Sequence, residues 1–559
     1  MTKRIIGVVL ALGIFGAPAG VQAGGVEFPA AGTNVLGRGG AGFARPGDGM
    51  ALLYNPANLA AESGLQLTLQ AHAAFYDACF QRDGTYLRHG ETPAYETNGP
   101  DPSREPDARV QSGDEFNPSA FNDDISGIPD RPMPRVCNSG PPSVIPELIL
   151  NWRVHEMVGV SIGFVAPAGI AHTKWGGSQR IGDRRYRGIV DGLPAPSRYN
   201  LVESQLLLAF PMVGVGFAPH PRFRVGASFG SGFARAHFEN VTRARRGEDF
   251  ANDIYTTLDA TDSFVPRIVV SAHAVPHDNL DVMASFTWTD GIDADGTVKL
   301  ESGYYREAIL QTLEIPNSRL VAPAPWQLAF GIRYADRVAP RPVDARSVSR
   351  LSDRVEDPMS NERFDIELDV VYERNSNVDG YRVDLGANPD SADGLWDIIA
   401  DTGIPAPVPP SLNLVHNWKD TLSVRLGGDY NVMPGLLAIR LGASFETKGV
   451  EDGYEQLDFL PFMRFGAHLG LTLRFGRFDL SLAYAHIQQV ATTVSPADAR
   501  ITQVSADASY GELCQQGTCL RGYPPSTGPS NFGQGTVVNT GRYTSNFDIV
   551  SLGLSYHFQ

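Results

Sequence analysis

Two segments of the sequence have the residue spacing of known nucleotide-binding or catalytic motifs. Residues 37–42 match the pattern G-x-G-x-x-G, which binds a dinucleotide when a strand precedes it and a helix follows it. Residues 159–163 match G-x-S-x-G, in which the serine needs a sharp strand-to-helix turn. The first segment has neither neighbour, and the second lies within an alternating strand pattern. We therefore predict no nucleotide site and no nucleophile at either place.

Metal sites and catalytic histidines also lack the spacing that their chemistry requires. Residues 293–296 (DADG) are similar to the start of a calcium loop, but the bidentate glutamate is out of register. The H-E-x-x-H spacing of zinc proteases is absent. His237, His468 and His557 are expected on or near inward faces without a paired nucleophile. We predict a protein that is not an enzyme and has no cofactor and no metal, with a lipid hydrolase as the least favoured alternative.

Four cysteines are the remaining reactive side chains: Cys79, Cys137, Cys514 and Cys519. Their even number suits two disulfides in an exported chain, with Cys79 joined to Cys137 and Cys514 closing a small ring with Cys519. Zinc binding would need a Cys-x-x-Cys pair or nearby histidines at ligand spacing, and neither is present. Three pairings are formally possible, so this connectivity is one of three.

The N-terminus predicts export from the cytoplasm. Lys3 and Arg4 precede an apolar run over residues 5–15, and residues 21–23 (VQA) place small side chains at a cleavage position. The apolar run is shorter than the roughly 20 residues that a membrane-spanning helix needs, which disfavours an anchor. We predict a signal peptide at residues 1–23 and a mature chain that begins at Gly24.

Composition restricts what the exported chain can be. No later stretch has eighteen consecutive apolar residues, so helical membrane spans are not predicted. The 59 glycines and 40 prolines among 559 residues favour many short strands joined by turns. The formal charge of −16 comes without a basic stripe and argues against a nucleic-acid partner.

The strongest pattern is a period of two in the C-terminal half. Between residues 463 and 475 one alternate set is wholly apolar and includes Phe465 and Leu469, whereas the other set is mainly polar and includes Arg464 and His468. Successive side chains of a strand point to opposite faces, so this pattern predicts strands with one apolar and one polar face. The pattern recurs at residues 223–230, 421–430, 437–446 and 550–558.

Runs of this length indicate a membrane barrel. Globular strands average about five or six residues, whereas a tilted membrane strand needs about nine to eleven. Unpaired backbone groups are too costly in lipid, so such strands must close on themselves. We predict an all-β protein, a 14-stranded antiparallel transmembrane β-barrel at residues 65–559. Its strands are predicted at residues 65–77, 145–155, 157–170, 199–217, 221–238, 263–276, 279–292, 325–337, 361–374, 418–430, 435–447, 461–475, 476–488 and 545–558.

Connections between these strands alternate in length. Barrels of this kind have short periplasmic turns and long external loops, and all four cysteines fall in the long loops. Residues 338–360 break the rule, because they are long and charged on the predicted short side. Either these residues form a periplasmic extension, or their position indicates that one strand is misplaced in the prediction.

Inward-facing arginines would be the main positive charges of the lumen. They would either hold a ligand carboxylate through charge-assisted hydrogen bonds or pair with inward carboxylates. The arginines are Arg224, Arg425, Arg440, Arg464 and Arg474, and the carboxylates are Asp429, Asp479 and Glu446.

The third predicted strand carries a signal for a break. Pro167 has no N–H group for the ladder and Gly169 weakens pairing, so the strand should bulge or kink there. The alternative is an ordinary strand end that carries a proline.

The order of several short motifs resembles one family of channels, the FadL/TodX-type outer-membrane transporters of hydrophobic compounds such as long-chain fatty acids. The resemblance covers almost the whole mature chain between its loops. Gln559 after Phe558 and the long loops depart from the family pattern. The motifs are LGRGGAG at residues 36–42, YNPANL at 54–59, PEL at 146–148, GVSIGFVAPAG at 159–169, NWKD at 417–420, RLGGDY at 425–430 and SLGLSYHF at 551–558.

This resemblance implies a hatch and a sideways exit. Residues 24–64 would form an N-terminal hatch that plugs the lumen. The stretch Asn55-Pro56-Ala57 would contact a gate in the third strand at Pro167 and Gly169. A hydrophobic ligand would leave through that gate into the bilayer, without dragging apolar surface through water.

The resemblance also implies that two external loops, residues 239–262 and 293–324, capture the ligand. Ile254, Tyr255 and Leu258 are expected on one helical face as a docking surface, with a capped surface turn as the alternative. Arg425 and Arg464 are the arginines predicted to contact a carboxylate, if any does.

The resulting prediction is an outer-membrane channel for long-chain fatty acids or other hydrophobic compounds. Its expected partners are a hydrophobic small molecule, outer-membrane lipids and the barrel-assembly machinery during biogenesis, and it is expected to be a monomer. The alternative function is a general diffusion porin or a structural surface barrel.

Overall fold

The computed structural model describes residues 31–45, 49–62, 64–86, 115–121, 132–167, 170–242, 250–338, 341, 356–401, 404–501, 514–515, 518–519 and 537–558. The predicted signal peptide at residues 1–23 and Gly169 lie outside the described residues.

Fourteen antiparallel strands form one closed barrel. Each strand is hydrogen-bonded to the next along the chain, and the last strand pairs with the first from Leu65↔Phe558 to Arg82↔Gly541. The predicted strand number is therefore confirmed. The strands are β1 (Leu65–Arg82), β2 (Ser143–His155), β3 (Val158–Val165), β4 (Glu203–His220), β5 (Phe223–Thr242), β6 (Ile254–His277), β7 (Leu280–Thr289), β8 (Gln327–Arg337), β9 (Glu362–Glu373), β10 (Thr421–Met433), β11 (Leu437–Glu446), β12 (Arg464–Phe475), β13 (Phe478–Gln489) and β14 (Gly541–Phe558).

The predicted alternation between two faces is confirmed along the barrel wall. On β12, Phe465 and Leu469 are 50% and 54% exposed on the outer surface, whereas His468 between them is buried inside. Other strands expose the same kind of apolar side chain on the outside, among them Leu69, Val213, Phe330 and Leu441. The outer surface of the barrel is thus an apolar belt.

An N-terminal segment, defined here as residues 31–45 and 49–62, lies inside the barrel. It contains helices α1 (Thr33–Gly37) and α2 (Ala51–Tyr54) and a 3-10 helix (Pro56–Ala61). The first helix contacts β1 and β11–β14, and the 3-10 helix contacts β2–β6, so the segment touches opposite parts of the wall. No helix among the described residues has the length and apolar character to cross a membrane.

Inward glycines let the N-terminal segment approach the wall closely. A Cβ at Gly226 of β5 would lie 2.3 Å from the carbonyl carbon of Pro56. One at Gly427 of β10 would lie 1.9 Å from the carbonyl oxygen of Arg38. The inner face, which the sequence predicts to be mainly polar, therefore also carries glycines that leave space for the N-terminal segment.

The two ends of the barrel differ, and we name them the turn end and the loop end. At the turn end β8 and β9 are joined by a long connection, the insert, defined as residues 338–361, which includes helix α3 (Pro358–Asn361). These two strands pair directly from Gln327↔Glu373 to Arg337↔Glu362. The alternative interpretation of residues 338–360, as the sign of a misplaced strand, is therefore wrong.

Strands continue beyond the barrel at the loop end, where the sequence predicted loops. The first half of β6 pairs with a hairpin, and two further strands extend that hairpin sideways. We name these four strands the outer sheet: Ile292–Ser302, Gln311–Ala322, Gly380–Asp384 and Ser411–Val415. The smaller elements are the strands Val136–Cys137, Ile170–Lys174, Gly177–Ile181, Arg184–Val190, Leu193–Pro194, Asp397–Asp401, Ile404–Pro407, Thr492–Val494, Cys514–Gln515 and Thr518–Cys519 and the 3-10 helices Pro118–Phe121 and Asn375–Asn377.

The predicted helical face at Ile254, Tyr255 and Leu258 is wrong. These residues lie on β6, where neighbours alternate between faces. Ile254 and Leu258 therefore share one face and Tyr255 lies on the other. The β-branched Thr256 and Thr257 between them favour the extended conformation.

One of the two predicted disulfides is present. Cys79 at the end of β1 is bonded to Cys137, directly across the ladder between them. Cys514 and Cys519 face each other in a two-stranded ladder, and their side chains lie outside the described part of the chain.

Candidate functional site

An apolar chamber lies at the loop end, between the upper parts of β4–β6 and the outer sheet. It consists of two open cavities of about 730 and 740 Å³, and both are lined mostly by apolar side chains. Phe238, Leu320 and Tyr381 line both cavities and join them. We name this space the outer chamber. A concave lining that is mostly apolar suits a small hydrophobic molecule.

Of the three predicted docking residues, the structure brings one to the chamber lining. Leu258 lines the second cavity, and Ile254 is buried in the same apolar cluster. Tyr255 points to the opposite face of β6, where its ring stacks on Tyr304 with centroids 4.0 Å apart. Its hydroxyl donates to Glu239 at 2.5 Å, so Tyr255 supports the wall instead of facing the cavity.

Arg267 of β6 is a chamber residue that sequence reasoning missed. It is 3% exposed, lines the first cavity and donates to the Thr289 hydroxyl at 3.1 Å. Its guanidinium carbon lies 5.5 Å from the centre of the Phe210 ring. The alternation of β6 would have found it, because Val265, Arg267 and Val269 are all buried on the inner face.

The predicted break in the third strand is present at Pro167. Strand β3 ends at Val165, and a new short strand begins at Ile170. The ladder with β4 stops at Val165↔Phe210 and resumes at Ile170↔Leu207. Among the described residues, Leu208 and Ala209 of β4, which lie opposite the break, thus have no ladder partner on that side.

Apolar side chains fill the break. Ile145 of β2, Ala166 and Ala209 are buried together there. Phe164 and Phe233 pack against them. In the described part of the wall, the hydrogen bonding is therefore interrupted at this place and apolar side chains pack around the interruption.

The N-terminal segment packs against the inner side of the broken strand. Leu52 of α2 fills the space left by two glycines, since a Cβ at Gly163 of β3 would lie 2.9 Å from it and one at Gly214 of β4 2.8 Å from it. Leu52 also belongs to one apolar cluster with Val165 and Leu208. This segment therefore packs on the inner side of β3 next to the break.

The predicted contact stretch Asn55-Pro56-Ala57 lies against β4–β6, where Pro56 approaches Gly216 and Gly226, about seven residues along β4 from the break. The Asn55 amide donates to the carbonyl of Phe43 at 2.8 Å, and the Ala57 N–H donates to the Ser271 hydroxyl at 2.8 Å. Residues nearer β3 are Leu52 and Leu59, which the sequence analysis did not select.

The other arm of the N-terminal segment is held by charges at the turn end. Arg38 is fully buried and donates to Asp365 at 2.7 Å, to Glu367 at 2.9 Å and to Asp429. The N–H group of Ala44 donates to Glu367 at 2.6 Å. These carboxylates belong to β9 and β10. One side of the barrel wall therefore holds the segment by ion pairs, and the opposite side holds it by apolar packing.

Most inward arginines are paired with carboxylates. Three of the predicted arginines lie at ion-pair distance from the carboxylates that the sequence analysis named: Arg440 from Asp429, Arg464 from Glu446, and Arg474 from Asp479. Arg224 is also paired, with Glu356 of the insert.

Arg425 differs from these four. Within the described residues it has no carboxylate at ion-pair distance; it donates to the Ser423 hydroxyl at 3.1 Å, and its guanidinium carbon lies 5.4 Å from the centre of the Phe43 ring. Of the five predicted inward arginines, Arg425 is thus the one that is not engaged in an ion pair with a described carboxylate.

The motifs that resemble reactive sites have structural roles. Ser161 of the G-x-S-x-G motif lies on β3 and donates to Asn151 at 2.6 Å. His468 lies 3.0 Å from the Ser444 hydroxyl and donates through Nδ1 to the Leu36 carbonyl at 2.9 Å, beneath the N-terminal segment. Neither residue lines the outer chamber. In the described part of the chain no cluster of histidine, cysteine or carboxylate side chains is arranged to hold a metal ion.

Comparison with known proteins identifies the fold. No protein-family model and no curated protein sequence matches the chain. Among solved structures, a FadL homologue of Pseudomonas aeruginosa matches with a TM-score of 0.62 at 13% identity, over 95% of this chain and 99% of that one. The toluene transporter TodX of P. putida matches at 0.55 and TbuX of Ralstonia pickettii at 0.51, each at 12% identity and over 95% of this chain and 99% of the other. The resemblance to FadL- and TodX-type channels thus extends to the whole fold.

Proposed function

We propose that this chain, which has the fold of FadL- and TodX-type channels, is an outer-membrane channel for the uptake of hydrophobic compounds. The observation that carries the proposal is the position of Leu208, which lines the outer chamber and also lies opposite the break in β3. Apolar side chains therefore continue from the place of capture to a weak point of the wall.

Sideways release fits the distribution of charge in the lumen. Exposing apolar surface costs about 25 cal/mol per Å², so a hydrophobic ligand gains from an apolar path. The turn end instead holds buried ion pairs such as those of Arg38 and Arg440, and separating them would leave charges unpaired in a dry interior. The ligand would leave at the break around Pro167 and Gly169 into the bilayer.

The N-terminal segment would act as a hatch, together with the rest of residues 24–64. Leu52 and Leu53 of α2 pack on the inner side of the break, so release requires this contact to open. The stretch Asn55-Pro56-Ala57 would move with α2, because it follows that helix directly.

The cargo would be a hydrocarbon or a long-chain fatty acid. TodX and TbuX are toluene transporters and the P. aeruginosa protein is a FadL homologue, and both kinds of cargo suit the apolar lining of the outer chamber. A fatty acid would in addition find positive charge at Arg267 and at Arg425. We further propose that a signal peptide at residues 1–23 directs export and that the apolar belt lies in the outer membrane. The protein would function as a monomer.

Leu208→Asp tests the route. A buried carboxylate there would place an unpaired charge in the path of the ligand, which costs several kcal/mol, so the initial uptake rate of radiolabelled toluene and oleate should fall by about tenfold or more. Uptake is measured in cells that lack other channels of this kind, with barrel folding checked by the gel shift on heating.

The matched control is Leu310→Asp, at an exposed leucine next to the outer sheet, which should keep normal uptake. Normal uptake by a folded Leu208→Asp barrel would remove the proposed route. A channel that passes hydrophilic solutes as fast as toluene would favour the porin alternative.

A further inference from the structure

The insert between β8 and β9 is joined to the N-terminal segment by buried polar contacts. Glu356 of the insert accepts a hydrogen bond from Arg224 of β5. The other nitrogen of that guanidinium donates to the side-chain oxygen of Asn58 at 3.0 Å. All three residues are at most 8% exposed. Arg224 therefore bridges the insert and the 3-10 helix.

A second path joins the same two elements through β6 and β7. Arg341 of the insert donates to Glu356 at 2.9 Å and to Asp281 at 2.7 Å. Asp281 also pairs with Nε2 of His273 at 2.9 Å. Nδ1 of that ring then accepts a hydrogen bond from the Asn55 amide at 3.3 Å. Both contacts require the same His273 tautomer, in which Nε2 carries the proton.

The two paths close a circuit, because Asn55 and Asn58 flank one turn of the 3-10 helix. Burial opposes the charge on Glu356, but Arg224 and Arg341 hold its pKa down at about 2, so it is ionised at neutral pH. We name this ring the insert circuit; its members are Asn55, His273, Asp281, Arg341, Glu356, Arg224 and Asn58.

We propose that the insert is a latch for the N-terminal segment, in which Glu356 positions Asn55 and Asn58 against β5 and β6. Removing the Glu356 charge would leave two arginines buried beside each other with one fewer counter-charge, and the 3-10 helix would lose its anchor. The consequence for transport rests on the function proposed above, whereas the latch itself does not.

Glu356→Gln in the full chain tests the latch with a side chain of almost the same shape. Backbone hydrogen exchange, measured by mass spectrometry in detergent micelles, should become about tenfold faster at residues 52–62. The matched control is Asp357→Asn: that neighbouring carboxylate pairs with Arg474 of β12 at 2.8 Å and lies outside the insert circuit. It should leave residues 52–62 unchanged.

Asn58→Ala cuts the same circuit from the other side and does not disturb the ion pairs. A coupling between two sites is reciprocal, so this variant should speed exchange at residues 356–361 of the insert as well as in the N-terminal segment. An effect confined to residues 52–62 overturns the latch. So does an effect of Asp357→Asn equal to that of Glu356→Gln, which would indicate general loosening.

Toluene uptake separates the latch from the transport proposal. Faster exchange in both segments with unchanged uptake supports the latch and refutes the N-terminal segment as a gate. Unchanged exchange in Glu356→Gln and Asn58→Ala overturns the latch, and it leaves the uptake channel standing if Leu208→Asp still abolishes transport.

Discussion

At the scale of single residues, ion pairs with carboxylates determine which arginine charges inside this barrel are neutralised. Arg38 is held by three carboxylates of β9 and β10, and three of the five predicted inward arginines pair with carboxylates that the sequence analysis named. Such pairs neutralise the lumen but leave little charge for a ligand. Of the five predicted arginines, Arg425, beside Phe43, is the one that has no carboxylate at ion-pair distance within the described residues.

Arg425→Leu should therefore discriminate between cargoes. A charge-assisted hydrogen bond to a carboxylate contributes about 1.5–3 kcal/mol, so oleate uptake should fall by about tenfold or more while toluene uptake stays normal. The measurement is the initial uptake rate of both radiolabelled compounds. Arg464→Leu is the control, because Glu446 already occupies that arginine and its loss should not distinguish the cargoes. Equal loss of both cargoes in Arg425→Leu would count against a carboxylate site.

At the scale of elements, the wall of the outer chamber is built from strands that extend past the membrane belt. Strand β6 runs over Ile254–His277, about twice the length that a tilted membrane strand needs, and its outer half carries the outer sheet. A histidine–carboxylate pair holds one edge of that sheet. His416 directly follows the strand Ser411–Val415, and its Nε2 lies 2.6 Å from the Asp458 carboxylate.

The His416–Asp458 pair should make the chamber wall sensitive to pH. Burial opposes the charge on His416, but Asp458 and the Leu414 carbonyl raise its pKa above the ordinary value. A group whose pKa is raised in the folded state contributes its full stabilisation of the fold below its unfolded-state pKa, which is about 6.5 for histidine. That contribution is lost as the pH rises through the folded-state pKa. Exchange at residues 411–415, corrected for its intrinsic pH dependence, should therefore be slower at about pH 6 than at about pH 9.

His416→Gln is the control for this effect. Glutamine cannot take up the proton, so the difference between the two pH values should vanish while the barrel stays folded. A pH difference that persists in His416→Gln would assign the sensitivity to another group.

At the scale of the whole molecule, the lumen has two unlike sides. Apolar side chains of β3–β6 face α2, and charged side chains of β8–β10 face Arg38. The N-terminal segment spans both sides and contacts most of the wall. We expect this segment to fill the lumen and to hinder the passage of ions.

Purified protein in planar bilayers should therefore conduct little. Deleting residues 31–62 should produce steady open-channel currents, because the segment occupies the lumen and the fourteen-stranded wall is large enough for a pore once emptied. The intact chain at the same protein concentration is the control. Steady currents from the intact chain would contradict the filled lumen and favour a porin.

Most of the barrel could be predicted because its signal is local. A period of two needs only neighbouring residues, and it placed every barrel strand and the two faces of β12. The same period is present at residues 292–300, where Ile292, Ala294, Val298 and Leu300 alternate with polar residues. The prediction of an external loop at residues 293–324 is wrong there, because these strands stand outside the apolar belt and keep a polar outer face.

The candidate site was predictable only in part, for a physical reason. Pro167 breaks its own strand, so its effect can be read from one residue. The contacts of Arg267 and the link between Glu356 and Asn58 depend on which strands become neighbours and on how deep a side chain lies. Those are properties of the closed barrel, and no local pattern carries them.

The burial of Arg38 has a consequence for biogenesis. The first strand pairs with the last, and the Arg38 guanidinium, which precedes the first strand in the chain, is fully buried within the closed wall. Threading a charged peptide into a finished cylinder would require stripping water from it. We therefore expect the front of the polypeptide to be enclosed while the cylinder is still an open sheet, so that the final seam forms around its own contents.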